Sequence, residues 1–337
     1  MTAPKKRGMQ TVVLNQPPVL TSWAAVVGPK EGEGPWASDF DWVLDDYNFG
    51  EKTWELAESK LMRETIKLAI SKGNYQEEDI EVMLAGDLLN QIIATSFAAR
   101  EFKMPLLGLY GACSTMAEAL AVAAMLIDGG YFLKAVASAC SHHHTAERQF
   151  RFPTEQGVQK TPSSQWTATA SGAVVLDALG IGPRVTSITL GRVIDMGQTD
   201  ASDMGSAMAP AAVHTIKTHF QDLQRPNDYY DLIVTGDLGK VGMALAEQLF
   251  VKDGLVPRPN YSDCGVLLFD HNQGVDSGGS GCGCSAAMLC GPLLKKMHEG
   301  QINRLLLVAT GALMSPVSQF QGETIPAIAH AVAIENI

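Results

Sequence analysis

The stretch best suited to chemistry runs from Leu107 to Met116, where an apolar run reaches a glycine turn and Cys113 begins the next helix. The unpaired amides and the positive dipole end of a helix N-terminus favour a thiolate or a bound anion. The spacing therefore predicts a nucleophile or an anion clamp at Cys113. The alternative is a small buried residue at a tight turn, because free cysteine is among the most buried residue types.

A second polar cluster lies between residues 141 and 166, a segment that we predict to be a loop. Its chemistry-bearing side chains are Ser141, His142, His143, His144, Glu147, Arg148, Arg151 and Gln165. On an extended segment Cys140, His142 and His144 would share a face, and Cys/His sets suit zinc. No second spaced pair completes four ligands, so we expect no metal. The histidines are then either a solvated loop or contacts to a ligand.

Charged side chains near these stretches have both functional and structural interpretations. Arg148 and Arg151 could pair a bound carboxylate bidentately, or form structural ion pairs with acids such as Glu147. Asp87 and Asp237 each follow a predicted strand, and we expect them to cap the helices after them.

Composition limits the classes of function. The chain has 337 residues, 46% hydrophobic and 18% charged, as in a globular protein with a sizeable core. The net charge of -11 argues against a general nucleic-acid binder, which needs a basic face. The six cysteines lack small-domain spacing, which suggests free thiols in a reducing compartment. We see no signal-peptide core and no apolar run of the roughly 18–20 residues that span a bilayer, so we expect membrane association to be peripheral.

Hydrophobic periodicity predicts strands and helices in alternation. In the first half we predict β-structure within 12–27, strands over 80–86, 104–109, 132–139 and 171–177, and helices over 54–71, 90–102 and 117–127. In the second half we predict strands over 185–193 and 231–236 and helices over 211–223 and 240–250. This alternation is typical of an α/β protein with a covered, mostly parallel sheet.

An internal repeat organises these elements. Residues 83–88 are echoed at 233–238, and residues 113–141 align without gaps onto 283–311. Two copies of one strand-helix unit imply pseudo-twofold symmetry, with chance similarity between two α/β segments as the alternative. A twofold would bring the helix start at Cys113 and the helix start at Cys282-Gly283-Cys284 towards a common cleft.

Three motifs are distinctive. They are Gly111-Ala112-Cys113-Ser114-Thr115, Ala146-Glu147-Arg148-Gln149-Phe150-Arg151-Phe152-Pro153 and Ser277-Gly278-Gly279-Ser280-Gly281-Cys282-Gly283-Cys284-Ser285-Ala286. Together they resemble the stage V sporulation protein AD family of the thiolase and ketoacyl-synthase superfamily, over nearly the whole chain. The resemblance implies a thiolase-like α/β fold, in which two pseudo-symmetric halves, residues 1–180 and 181–337, form a layered αβαβα body.

The resemblance also bears on catalysis. In the condensing enzymes of the superfamily the cysteine works with a His after the second strand of the second half and a His or Asn in the later glycine-rich turn. These places fall at Gly236-Asp237 and at Cys282, which offer neither an imidazole nor an amide. We therefore expect a protein that is not an enzyme. The alternative is an acyltransferase or condensing enzyme that uses Cys113 as a nucleophile on an acyl thioester.

For the sporulation family the resemblance implies binding of dipicolinic acid (pyridine-2,6-dicarboxylate), with or without calcium, and its uptake into the developing spore beside membrane transport proteins. It further implies a homodimer, peripheral at the spore inner membrane, that needs no cofactor and binds no nucleic acid. A third interpretation is a scaffold for the membrane partners with a vestigial cleft. The candidate ligand-binding residues are Cys113, Ser114, Cys140, Ser141, His142, Arg148, Asp237, Cys282, Gly283 and Cys284.

Overall fold

A computed structural model describes residues 5–150, 161–255 and 260–337 of the chain. Its strands are β1 (Lys6–Arg7), β2 (Thr11–Val13), β3 (Val19–Val27), β4 (Trp42–Val43), β5 (Val82–Gly86), β6 (Leu106–Gly108), β7 (Lys134–Ser141), β8 (Trp166–Thr167), β9 (Ala170–Asp177), β10 (Arg184–Thr189), β11 (Leu232–Thr235), β12 (Tyr261–Asp263), β13 (Gly279–Ser280), β14 (Arg304–Ala312) and β15 (Ala327–Glu335). Its helices are α1 (Pro29–Gly32), α2 (Trp54–Lys72), α3 (Ile93–Ala99), α4 (Thr115–Asp128), α5 (His143–Phe150), α6 (Met204–Leu223), α7 (Gly239–Lys252), α8 (Cys264–Leu268), α9 (Cys282–Met288), α10 (Leu294–His298) and α11 (Pro316–Phe320). A π-helical turn, Leu289–Leu293, joins α9 to α10.

The strand order reflects the repeat. Hydrogen bonds join the strands in the order β12-β11-β14-β15-β10-β3-β9-β7-β5-β6, in which β5, β7 and β9 take the places that β11, β14 and β15 take in the other half. Strand β7 is parallel to β5 and antiparallel to β9, and β14 is likewise parallel to β11 and antiparallel to β15. The segments 134–141 and 304–311, equated by the alignment, therefore form equivalent strands, which confirms the repeat.

The expectation of a mostly parallel sheet was wrong, because the sheet is mixed. Strands β3, β9, β10 and β15 all make antiparallel pairs in the middle of the order. Strand β3 lies between β9 and β10 and is antiparallel to both of them.

Helices α4 and α9 are the centre of the fold. Helix α4 packs on β5 and β7 of its own half and on β14 and β15, and α9 packs on β3, β7 and β9. Both helices are rich in alanine and other small residues and are almost completely buried, which lets strands approach from two sides. Helices α2 and α3 cover the strands of the first half, and α6 and α7 cover those of the second. The predicted αβαβα layering is thus present.

The N-termini of α4 and α9 carry the candidate cysteines: Cys113 lies just before α4, and Cys282 begins α9. The six cysteines are free, as the sequence suggested, and all six are also buried. Over the described ranges, we find no helix whose length and apolar character would suffice to cross a membrane.

Candidate functional site

Cys113 lies in a tight turn between β6 and α4. The turn is a single 3-10 turn over Ala112–Ser114, and Ala112 takes a left-handed φ of 50°, which is strained for a residue with a side chain. The Ser114 hydroxyl donates to the Gly111 carbonyl at 2.6 Å, and the Thr115 hydroxyl donates to the Ala112 carbonyl at 2.7 Å. Ser114 is completely buried, so its side chain stabilises the turn that presents Cys113.

Asp237, from the second half, contacts the Cys113 thiol. Its carboxylate is completely buried and accepts hydrogen bonds from the Thr310 hydroxyl at 2.7 Å, the Ser280 hydroxyl at 3.0 Å and the Gly281 amide at 2.9 Å. The Cys113 thiol lies close enough to this carboxylate for the charge of Asp237 to raise the pKa of the thiol. The two halves therefore meet at a thiol-carboxylate pair, and the Asp237 carboxylate already uses the Gly281 amide.

This pair reverses the expectation that the helix start favours a thiolate at Cys113. Burial, then the negative charge of Asp237 and the neighbouring Cys282, raise the pKa of the Cys113 thiol well above its ordinary value of 9.0. The Gly281 amide opposes this only in part. Cys113 is therefore a neutral thiol at neutral pH, and a thiol is a far weaker nucleophile than a thiolate.

The helix-capping prediction was right for Asp87 and wrong for Asp237. Asp87 accepts from the amide of Thr95, in the first turn of α3, at 2.7 Å and from its hydroxyl at 2.5 Å. At the start of α7 the equivalent amides, at 238–239, donate instead to Asp263 at 2.8 and 3.0 Å. Asp263 frees Asp237 to point towards the thiol.

A group of thiols and acids lies behind Cys113. The Cys282 thiol donates to the Cys140 carbonyl at 2.9 Å, and the Cys140 thiol lies 3.8 Å from the carboxyl group of Glu58 on α2. Burial, and then the charge of Asp87, raise the pKa of Glu58 well above its ordinary value. Cys140 and Cys282 are completely buried and are part of this interior group.

Ser141 and Gly283 join α9 to the first half. The Ser141 hydroxyl donates to the Ala168 carbonyl at 2.7 Å and accepts from the Gly283 amide at 3.2 Å. A β-carbon at Gly283 would lie 2.3 Å from the Ala170 carbonyl oxygen, so only glycine fits there. Ser141 and Gly283 thus hold the halves together, whereas Cys284 is completely buried with its thiol 3.8 Å from the Gly236 carbonyl oxygen of its own half.

The interpretation of the histidines as a solvated loop was wrong, because they begin helix α5. His142 and His143 are buried and His144 is half-buried. His142 Nε2 lies 2.8 Å from the Tyr47 carbonyl oxygen, and His143 stacks on Trp166 with ring centroids 3.6 Å apart. Burial lowers the pKa of His142 to about 4, so it is neutral at neutral pH. Within 5–150, 161–255 and 260–337, no three His, Cys, Asp or Glu side chains group as metal ligands.

Arg148 lies on the exposed side of α5. It pairs with Glu55, and its guanidinium lies 5.4 Å from the centroid of the Trp54 ring. The ion-pair interpretation is thus correct for Arg148, with Glu55 rather than Glu147 as its partner. Arg151 and the rest of its motif, through Pro153, lie outside the described residues.

A small cavity of about 30 Å³ opens beside Cys113, which is room for about two water molecules. Its walls are formed by Leu88, Tyr110, Ala112, Cys113, Ala146, Glu147, Phe150, Thr167, Met204, Ser280, Ala312 and Met314. Strands β8 and β13 pair Thr167 directly with Ser280, so both halves contribute to one wall. Of the ten candidate residues, only Cys113 lines the cavity. Asp237, Cys140 and Cys282 lie behind it.

Sequence reasoning missed most of these walls. Tyr110 stands in the stretch that drew attention to Cys113 and could have been found there. Thr167 and Ser280 belong to strands of two residues each, more than a hundred positions apart. No periodicity can reveal such a pairing.

The chain matches the model of the family described as Stage V sporulation protein AD over residues 8–335. It is 47% identical over 332 residues to Stage V sporulation protein AD of Bacillus subtilis (strain 168), covering 98% of each chain. Among solved structures it resembles a variant of Xanthomonas campestris OleA, with a TM-score of 0.63, 13% identity and coverage of 96% and 99% of the two chains. It also resembles 3-oxoacyl-[acyl-carrier-protein] synthase III of Aquifex aeolicus VF5, with a TM-score of 0.57, 11% identity and coverage of 94% and 99%. The predicted thiolase-like α/β fold is thereby confirmed.

Proposed function

The chain belongs to the stage V sporulation protein AD family, and from this we propose that it binds dipicolinic acid in the Cys113 cavity without chemical change and supports its uptake into the developing spore. The family is a sporulation family with a thiolase-like fold. Dipicolinic acid as the ligand, the Cys113 cavity as its site and the lack of catalysis are what we propose beyond the family.

The Asp237–Cys113 pair carries the non-catalytic part of the proposal. Acyl transfer requires a thiolate, a group that moves a proton and donors free to hold an oxyanion. Here burial, and then the charge of Asp237, keep the sulfur protonated, and the Asp237 carboxylate uses the Gly281 amide. In the described part of the cavity wall there is no histidine.

The walls of the cavity suit a small, flat aromatic acid, and binding requires them to move apart because the free space is about 30 Å³. Apolar side chains such as Leu88, Phe150 and Met204 can enclose a ring, and the hydroxyl groups of Thr167 and Tyr110 can donate to carboxylates. Glu147 stands on the same wall, so binding should be measured both with and without calcium, which would bridge two sets of carboxylates.

Calorimetry with dipicolinate tests the proposal. We expect saturable binding to the purified protein, retained in Cys113→Ser, which keeps the space, and abolished in Cys113→Phe, which fills it. The two variants share one position, and thermal unfolding of each establishes that it folds. Absence of binding to the unmodified protein at millimolar dipicolinate, with and without calcium, contradicts the proposal.

The rival function is acyl transfer by Cys113, which is favoured by the activity named for the synthase III relative. Incubation with acetyl-coenzyme A followed by intact-mass measurement separates the two. A stable acetyl adduct that disappears in Cys113→Ser would establish the rival. A scaffold with an empty, vestigial cleft is instead indicated if neither binding nor an adduct is found.

We also propose a homodimer formed through the open edge of the sheet. Strand β6 ends the strand order, and Leu107 on it and Ile93 and Phe97 on the neighbouring α3 are exposed. An apolar, unpaired strand edge is normally covered. A second copy of the chain would cover it.

We propose further that the protein lies peripherally at the spore inner membrane, beside membrane transport proteins. Four large side chains, Tyr131, Leu133, Leu179 and Ile181, are exposed at the start of β7 and the end of β9. The Ala178 amide donates to the Leu133 carbonyl at 2.8 Å, so these residues lie on adjoining turns. Exposed apolar groups of this size support contact with a lipid surface. They lie at the opposite strand ends from Cys113.

A further inference from the structure

A second apolar surface lies beside the mouth of the cavity, and we call it the lip. It consists of Met196, Val317 and Phe320, whose exposed fractions are 72%, 63% and 80%. Single exposed apolar residues need no explanation, but three of this size on adjoining segments indicate an interaction surface.

Hydrogen bonds hold the two segments of the lip together. The Thr324 hydroxyl donates to Asp195 at 2.6 Å, and the Ile325 amide donates to the Gln198 carbonyl at 2.7 Å. Helix α11, which carries Val317 and Phe320, begins with a capping box between Ser315 and its third residue. The lip is therefore presented by a fixed backbone.

The lip is continuous with the cavity. Met314, immediately before the cap of α11, lines the cavity, as does Met204 at the start of α6. Methionine side chains adapt to partners of different shape, which is why binding surfaces use them. A partner seated on the lip would thus lie beside the cavity opening.

The two segments that carry the lip also carry acidic side chains. They are Asp195, Asp200, Asp203 and Glu323. No described Lys or Arg pairs with any of them, and Arg192 on the same loop lies near His214 on α6. The Thr324 hydroxyl and the Gly197 amide lower the pKa of Asp195, so this carboxylate is ionised at neutral pH.

We propose that the lip is the docking site for a basic amphipathic helix of a partner protein. An apolar face with an acidic margin is complementary to a helix that has an apolar stripe flanked by lysine or arginine. The same margin disfavours a second copy of the lip and an anionic lipid surface, because both would place like charges together. The inference rests on this surface and is independent of the ligand in the cavity.

Fluorescence anisotropy with a labelled Leu/Lys peptide tests the inference. The peptide has about 18 residues with leucines at the i, i+3, i+4 and i+7 positions, and its control has the same composition with the leucines dispersed around the helix. We expect the full chain to bind the first peptide at least tenfold more tightly than the second. The combined change Val317→Ser and Phe320→Ser should weaken binding about tenfold or more, because it removes two apolar anchors.

Two further variants make the test specific. Glu323→Lys should weaken binding several-fold at low salt and reduce its salt dependence, since the Glu323 side chain makes no described contact that the change would break. Val251→Ser, at an apolar residue of α7 that is 67% exposed, should leave binding unchanged. Dipicolinate calorimetry on the Val317→Ser and Phe320→Ser protein should give the unmodified affinity, so failure of the docking and failure of the ligand proposal are distinguishable.

Four outcomes would overturn the inference. They are equal binding of the two peptides, no effect of the double change, a loss at Val251→Ser as large as at the lip, and an equally tight complex with a Leu/Glu peptide. Binding of phosphatidylglycerol vesicles, or self-association, that depends on Val317 and Phe320 would assign the lip to another occupant.

Discussion

Replacing Asp237 with asparagine removes a negative charge from the Cys113 thiol, and we expect the thiol to react faster with iodoacetamide. Two unit charges about 4 Å apart at an effective dielectric constant near 20 interact by about 4 kcal/mol, which corresponds to about three pKa units. That value is the upper limit for the fall in the pKa of Cys113. Burial, the larger cause of the shift, remains in the variant.

The expected rate follows from this change. A fall of three units raises the thiolate fraction about a thousandfold, but a less basic thiolate is intrinsically less reactive, with a Brønsted coefficient of about 0.5. The net acceleration is therefore up to about 30-fold at fixed pH. Asparagine cannot accept from Thr310, Ser280 and Gly281 together, so we also expect the free energy of unfolding to fall by about 1–3 kcal/mol.

The assay is alkylation of the native protein at pH 8, with peptide mapping to locate the label. Asp87→Asn, the equivalent change in the first half, serves as the control because Asp87 is not among the main causes that raise the pKa of Cys113. Thermal unfolding confirms that both variants are folded. An unchanged or slower alkylation of Cys113 in Asp237→Asn would refute the electrostatic account.

Three further predictions concern stability, assembly and location. Burial raises the pKa of Glu31 from 4.5 to about 7, so the folded state holds its proton more tightly than the unfolded state, and stability is lost as the pH rises through this window. Between pH 5 and pH 8, the free energy of unfolding measured with urea should fall by about 3 kcal/mol less in Glu31→Gln than in the unmodified protein. An equal fall in both proteins would contradict this. Leu107→Lys should convert a dimer into a monomer in sedimentation equilibrium, whereas Val251→Lys should not, and an unchanged mass would exclude the β6 edge. Ile181→Asp should weaken co-sedimentation of the protein with phosphatidylglycerol vesicles about tenfold or more. The control variant Val251→Asp should bind the vesicles as tightly as the unmodified protein.

The sequence predicted the fold well where long-period patterns exist. The alignment of 113–141 onto 283–311 places β7 and β14 in equivalent positions, because each half must bury the same strand-helix unit. Helix α5 was predicted as a loop, since its polar sequence has no apolar stripe. Its stability comes from distant partners, such as the Glu58 carboxyl group 2.5 Å from the Thr145 hydroxyl. Tertiary contacts of this kind override local propensity.

The candidate site was predicted only at Cys113, for a related physical reason. Local sequence reveals where a strand ends and a helix begins, so it finds the turn. It does not reveal which side chains reach the turn from the other half. The second half reaches the cysteine turn closely because Gly311 on β14 has no side chain: a β-carbon there would lie 2.2 Å from the Gly111 carbonyl oxygen.

The different roles of Asp87 and Asp237 explain why the second copy of the repeat has no free anion site at the start of α9. Both follow Gly at the end of equivalent strands. In the first half the Asp87 carboxylate accepts a hydrogen bond from the Thr95 amide of the same half. In the second half Asp263 caps the helix, and Asp237 turns inward to the Gly281 amide, the donor that a bound anion or a thiolate at Cys113 would otherwise use. The protein thus carries its own carboxyl group at the helix start, and under the proposed function a ligand carboxylate would be held by the hydroxyl groups of Thr167 and Tyr110 instead.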